Sequence, residues 1–185
     1  MMKQPNKGQL LIADPFLKDA NFIRTVVLLC AFNDSDGGFG FVMNRKSEQT
    51  LADVLEAAPF PQFPLYYGGP VQLDTLHFIH TVPHLIPDGI LIGNGMYWSG
   101  DFDKLLLHLS NQAIGQHEIK FFLGYSGWSE GQLEEEVEEG SWLLTPATPT
   151  LVFETPVDAL WRQSVLQLGD AYKEVIHYPI DPQLN

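Results

Sequence analysis

Apolar residues come in short, dense runs early in the chain. Residues 10–13 and 25–32 are almost continuous in Val, Ile and Leu, the pattern of buried strands. Between them, Pro15 and the stretch 18–21 predict a loop with room for one helical turn. Residues 33–38 form a dense turn signal and residues 39–43 resume as a strand, so 25–32 and 39–43 predict a β-hairpin. Thr50 as N-cap, with Asp53 three residues on, opens a short helix through Ala57 that Pro59 stops. Further strands are expected at 65–67, 76–81 and 89–92, bounded by Gly68-Gly69-Pro70, Pro83 and Pro87.

The second half carries the helical signals. Leu105, Leu106, Leu109 and Ala113 follow Asp101 at helical spacing and predict an amphipathic helix over 101–114. Residues 118–125 read as a strand centred on Phe121-Phe122-Leu123. Ser129 with Gln132 makes a capping box, and Trp128 with Leu133 has the spacing of a hydrophobic staple, so a helix is predicted to start there. A last helix opens at Thr155-Pro156, with Pro at the first helical position and Asp158 at the third; Gly169 ends it. Strands and helices interleave without a regular βαβ period or a repeat. The pattern predicts an α+β protein with one domain spanning 1–185.

Charge narrows the function classes. Asp and Glu number 23 against 10 Lys and Arg, a formal net charge of -13. The arginines are Arg24, Arg45 and Arg162 alone, and the seven lysines are scattered. Nucleic-acid binding draws most of its affinity from clustered cations that release counterions, so direct nucleic-acid contact is not expected. Docking to an anionic membrane is disfavoured for the same reason. The longest clean apolar run, 26–32, is far shorter than the ~20 residues that span a bilayer. The lone cysteine, Cys30, cannot form an internal disulfide, which fits a reducing, cytoplasmic setting.

Several motifs hint at chemistry and each has a plainer reading. Gly124-Tyr125-Ser126-Gly127 resembles a nucleophile elbow, but Trp128 stands where the pattern needs its second Gly, which favours a strand-to-helix turn. Gly93-Asn94-Gly95 is read as leading into a helix but fails the dinucleotide fingerprint, because Trp98 occupies the third glycine's place. His77 and His80 should face opposite sides of a strand, and Pro83 breaks helical pairing of His80 with His84, so no metal is expected. The acidic run from Glu130 to Glu139 is best read as a solvated helix face. Cys30, mid-strand, should be an inert packing thiol.

Several strings together resemble the YqgE/AlgH family of bacterial proteins. They are Gly8-Gln9-Leu10-Leu11-Ile12-Ala13-Asp14-Pro15; Phe22 through Val26-Val27-Leu28-Leu29-Cys30; and Gly37-Gly38-Phe39-Gly40-Phe41-Val42-Met43-Asn44-Arg45. Gly68-Gly69-Pro70-Val71, Tyr97-Trp98-Ser99-Gly100-Asp101 and Gly124 through Glu134 complete the set. The resemblance implies an irregular, mostly antiparallel sheet with a small barrel-like portion surrounded by helices. It implies no established molecular function, although some members carry a transcriptional-regulator label. The chain departs from many members in having Phe32 two positions after the cysteine, where they have His. That weakens any Cys/His pairing.

The matching blocks are Gly-rich or aromatic turns. If they converge, Asn44, Gly68, Gly69, Tyr97, Asp101, Ser126 and Trp128 would line a ligand pocket. The reading favoured is a cytosolic, non-catalytic regulatory protein that binds a small ligand or a protein partner, with no cofactor. An enzyme using Cys30 or Ser126 is the alternative, and indirect transcriptional regulation the third. The termini, 1–7 and 179–185, are expected to be loose.

Overall fold

β1 (Gln9–Ala13) is buried at all five positions, and alternation along the strand explains why. Leu10 and Ile12 enter one apolar cluster while Leu11 and Ala13 enter another on the opposite face. β2 (Val26–Asn33) does the same, with Val26, Leu28 and Cys30 on one side and Val27 and Leu29 on the other. Strands covered on both faces lose the hydrophobic–polar alternation and read as continuous apolar runs. The computed structural model describes residues 4–33, 35–55 and 63–178.

The remaining strands are β3 (Gly37–Val42), β4 (Lys46–Thr50), β5 (Pro64–Tyr67), β6 (Val71–His80), β7 (Ile90–Gly93), β8 (Met96–Trp98), β9 (Ile119–Trp128) and β10 (Trp142–Pro146). They pair in the order β10-β1-β2-β3-β9-β6-β8-β7, with β5 also on β9 and β4 on β5. Every pairing is antiparallel except β5 on β9. β9 is the hinge of the architecture. Its first half lies between β5 and β6, and its last three residues pair instead with Gly38, Phe39 and Gly40 of β3. Gly124, at φ +67°, marks the turn-over, and the facing β6 shifts register between Val71 and Leu76.

The sheet does not close into a barrel, which corrects the barrel-like portion that the family resemblance implied. β10 and β7 end the strand path. β7 comes near β2, but no ladder joins them, and closure requires an uninterrupted one.

Helices cover the sheet. α4 (Val157–Leu166) packs on β1 and β2, where Trp161 Nε1 donates to the Ala13 carbonyl at 2.8 Å. α3 (Gln132–Glu138) lies on β3 and β10 across the opposite face. α2 (Phe102–Ser110) buries Leu105 and Leu109 in a third cluster with Phe78, Phe121 and Leu123. α1 (Leu51–Val54) is a single turn whose start is fixed by Asp53, which accepts from the Thr50 N–H at 2.7 Å. α1 ends at Val54, with Leu55 extended, short of the end predicted at Ala57; Ala57 and the stop at Pro59 lie outside the described residues. So do the termini 1–3 and 179–185.

Several boundaries differ from expectation for identifiable reasons. α3 starts at Gln132 rather than at Ser129, because Gly131 sits at φ +74° and breaks the first turn. The Gln132 side chain still accepts from the Ser129 N–H, at 3.1 Å. α2 ends at Ser110, with Gln112 left-handed at φ +55° just beyond. Gly124 to Gly127 continue β9 and are not the predicted strand-to-helix turn. Gly93-Asn94-Gly95 leads into β8 rather than a helix: Asn94 and Gly95, at φ +50° and +75°, turn the β7–β8 hairpin.

Candidate functional site

The residues singled out in the sequence occupy five different places. Gly68, Gly69 and Ser126 meet. Ser126 is fully buried and its Oγ donates to the Gly68 carbonyl at 3.0 Å. The Gly68 N–H donates to Leu123, and its carbonyl also accepts from the Val42 N–H. Gly69 has φ +155°, and a Cβ there would lie 2.3 Å from Ser126 Oγ, so only glycine lets this turn press on β9. Tyr97 stacks on His80, with ring centres 5.7 Å apart. Asp101 caps α2 by accepting from the Lys104 N–H at 2.9 Å. Trp128 is buried on the α3 side of the sheet, and its Nε1 donates to Glu136 at 2.8 Å.

Asn44 lies elsewhere and has a positioning task. Its Oδ1 accepts from the Val26 N–H at 3.0 Å and its Nδ2 donates to the Arg24 carbonyl at 2.9 Å. This amide clasp holds Arg24 at φ +53°, a conformation that costs a non-glycine residue of order 1 kcal/mol. The clasp aims the Arg24 side chain at α4.

A cleft of about 600 Å³ opens there, and all three arginines of the chain line it. Arg24 leads into β2, Arg45 follows β3, and Arg162 stands on the second turn of α4. Trp161 and Tyr178 supply aromatic surface, and among the described residues Asp158 is the one carboxylate in the lining. The Arg24 guanidinium lies over the Trp161 ring and donates to the Tyr178 carbonyl. Burial lowers its pKa from the ordinary value, and the nearby charge of Asp14 works in the opposite direction. An arginine so placed stays protonated at any physiological pH. Arg45 is exposed and donates to the Ile23 carbonyl at 3.0 Å. Arg162 is exposed and makes no hydrogen bond or ion pair among the described residues. Arg45 also lines an adjoining cavity of about 320 Å³ that reaches Gly69 and Tyr67.

The groups with nucleophilic potential are packed away. Cys30 is 1% exposed and burial pushes its thiol far above the usual range. His80 is buried, with Nε2 against the Ser99 carbonyl and Nδ1 accepting from the Val82 N–H. That arrangement suits a neutral ring, and desolvation lowers its pKa. Among the described residues, no three His, Cys, Asp or Glu side chains gather in a way that could hold a metal ion. No described helix is long and apolar enough to cross a membrane.

Sequence reading missed the arginine cleft, because its members are far apart in the chain and Arg45 stood only at the end of a family string. It also missed Lys120. This residue is 6% exposed within β9 and its ammonium lies 4.8 Å from the centre of the Tyr66 ring. Burial lowers its pKa to about 8.

Comparison with known proteins fits the architecture. The profile of the AlgH-like family matches residues 10–173. A UPF0301 protein of Chlorobium limicola is 42% identical over 178 residues, covering 96% of this chain and 95% of its own. One from Parabacteroides distasonis is 42% identical over 183 residues, covering 98% and 92%. The solution structure of the AlgH protein from Pseudomonas aeruginosa superposes with a TM-score of 0.74 at 30% identity, covering 96% of this chain and 98% of that one. The crystal structure of a Corynebacterium diphtheriae protein also superposes at 0.74, with 20% identity over 95% and 94%, a likeness of fold alone. The chain belongs to the AlgH-like family.

Proposed function

We propose that this is a cytosolic, non-catalytic regulatory protein that binds a small polyanion, a phosphorylated or polycarboxylated metabolite, in the arginine cleft. One observation carries the reading. A chain with net charge -13 has three arginines, and all of them line one cavity. Guanidinium groups match phosphate and carboxylate oxygens in paired hydrogen bonds. Asn44 belongs to this site as the residue that orients Arg24. The enzyme alternative draws no support from the burial of Cys30 and Ser126. An influence on transcription would be indirect, since three cations around one cleft suit a small anion better than a duplex backbone.

A thermal-shift series at constant ionic strength with pyrophosphate and citrate tests the reading. A ligand at 100 times its Kd should add ~2.7 kcal/mol, roughly 5–10 °C for a chain of this size. The shift should vanish in the Arg45→Ala/Arg162→Ala double variant. A shift that survives in that variant, or no shift with any anion, refutes the cleft as the site. A response to acidic peptides alone would move the reading to a protein partner.

A further inference from the structure

A second cavity, of about 460 Å³ and sharing no residue with the arginine cleft, opens where the β2–β3 turn meets β8 and β9. Its walls are aromatic. Phe32, Phe39, Trp98 and Tyr125 all line it, and each is only half-buried. Phe39 is set at steep angles to two of the others. Phe39 meets Trp98 at 65° with ring centres 4.7 Å apart, and meets Tyr125 at 80° and 6.1 Å. His77 meets Tyr125 at 82° and 5.9 Å. Among the described residues one carboxylate, Asp36, lines the cavity, accepting from Asn33 Nδ2 at 2.9 Å. Among the described residues no lysine or arginine lines it. Its single imidazole, His77, is kept toward the neutral form by desolvation.

Two features of this cavity select a ligand class. An aromatic face carries a negative quadrupole, which attracts a cation lying within about 6 Å of the ring centre, and four aromatic side chains line this one cavity. The lining also offers few groups to replace the water hydrogen bonds of an ordinary ammonium, and leaving those unmade is costly. A permethylated ammonium has no N–H to satisfy and enters at little loss. We propose that this aromatic cage binds a small organic cation bearing a quaternary ammonium group, with Asp36 supplying the counter-charge. The proposal is independent of the anion cleft.

The test is a titration of the folded, full-length chain with choline and with 3,3-dimethylbutan-1-ol, its neutral carbon isostere, following the Trp98 indole resonance by NMR. Choline should bind saturably and about tenfold more tightly than the isostere. Asp36→Asn should weaken choline several-fold without altering the isostere, and Trp98→Leu should abolish the choline response. Phe32→Leu gives a second cage variant should the Trp98 substitution disturb folding. Equal affinity for the two compounds would show an apolar pocket without cation recognition and overturn the proposal. The absence of any saturable Trp98 shift at millimolar choline would overturn it as well.

Discussion

The guanidinium carbon of Arg24 lies 4.0 Å from the centre of the Trp161 ring. This contact ties the entrance of β2 to α4, which Trp161 also anchors through the Ala13 carbonyl. Arg24 therefore serves both packing and charge, whereas Arg162 serves charge alone. Arg24→Ala should lose about 1–2 kcal/mol of stability along with anion affinity. Arg162→Ala should stay within about 0.5 kcal/mol of the parent yet lose affinity comparably. Urea denaturation beside binding titrations of the two variants reads this split directly.

Glu136 holds two buried indoles with one oxygen. Its Oε2 accepts from Trp128 Nε1 at 2.8 Å and from Trp142 Nε1 at 2.7 Å. Truncation strands both donors, so Glu136→Ala should cost about 2–4 kcal/mol. Glu136→Gln keeps an acceptor and should cost less than half as much. If chemical denaturation gave equal losses for the two variants, the indole clamp would not be the source.

Lys120 predicts a pH-dependent stability with a definite sign. Its pKa falls from 10.5 unfolded to about 8 folded, corresponding to roughly 3 kcal/mol. Below pH 8 both states hold the proton and the folded state carries the full desolvation cost. Between pH 8 and 10.5 the unfolded chain holds more proton than the folded one, so this group's contribution becomes more favourable as pH rises. Lys120→Met should therefore stabilise the protein at pH 7 by up to about 3 kcal/mol. The gain should shrink by more than half by pH 9.5. A gain independent of pH would mean that packing, not charge burial, accounts for it.

Gly69→Ala should be among the most damaging small substitutions in the chain. The new methyl would lie 2.3 Å from Ser126 Oγ and equally close to the Tyr125 carbonyl, at a φ of +155°. A loss of roughly 3 kcal/mol is expected from clash and strain together. Gly95→Ala, where a Cβ meets nothing within 4 Å, should cost only about 1 kcal/mol from its positive φ. Thermal melts of the two variants provide the comparison.

The sequence made some of this legible and hid the rest for physical reasons. β1 and β2 announced themselves because both faces are buried, which packs apolar residues into unbroken runs. Helix α2 was visible through Asp101, since capping chemistry is local; α4 was visible through Pro156 at its threshold, although Thr155 makes no cap bond and donates instead to the Thr150 carbonyl. β4, in contrast, is Lys46-Ser47-Glu48-Gln49-Thr50, polar along most of its length and held by pairing with β5. β8 has three residues, and its signal was the Asn94-Gly95 turn, read instead as a helix approach. The strand character of Gly124 to Gly127 depends on β6 and β3 lying alongside, which no local pattern records. The arginine cleft joins positions 24, 45 and 162, so only the scarcity of arginine could have drawn attention to it. The aromatic cage was half visible. Trp98 was noted among the aromatic turns, but its meeting with Phe39 is tertiary.

Calorimetric titration of pyrophosphate into the full-length protein and into the Arg45→Ala/Arg162→Ala variant, at matched ionic strength, tests the central claim most directly. The account predicts saturable one-to-one binding to the parent protein, about tenfold weaker for each arginine removed. Affinity unchanged in the variant, or no saturable binding to the parent, would contradict it.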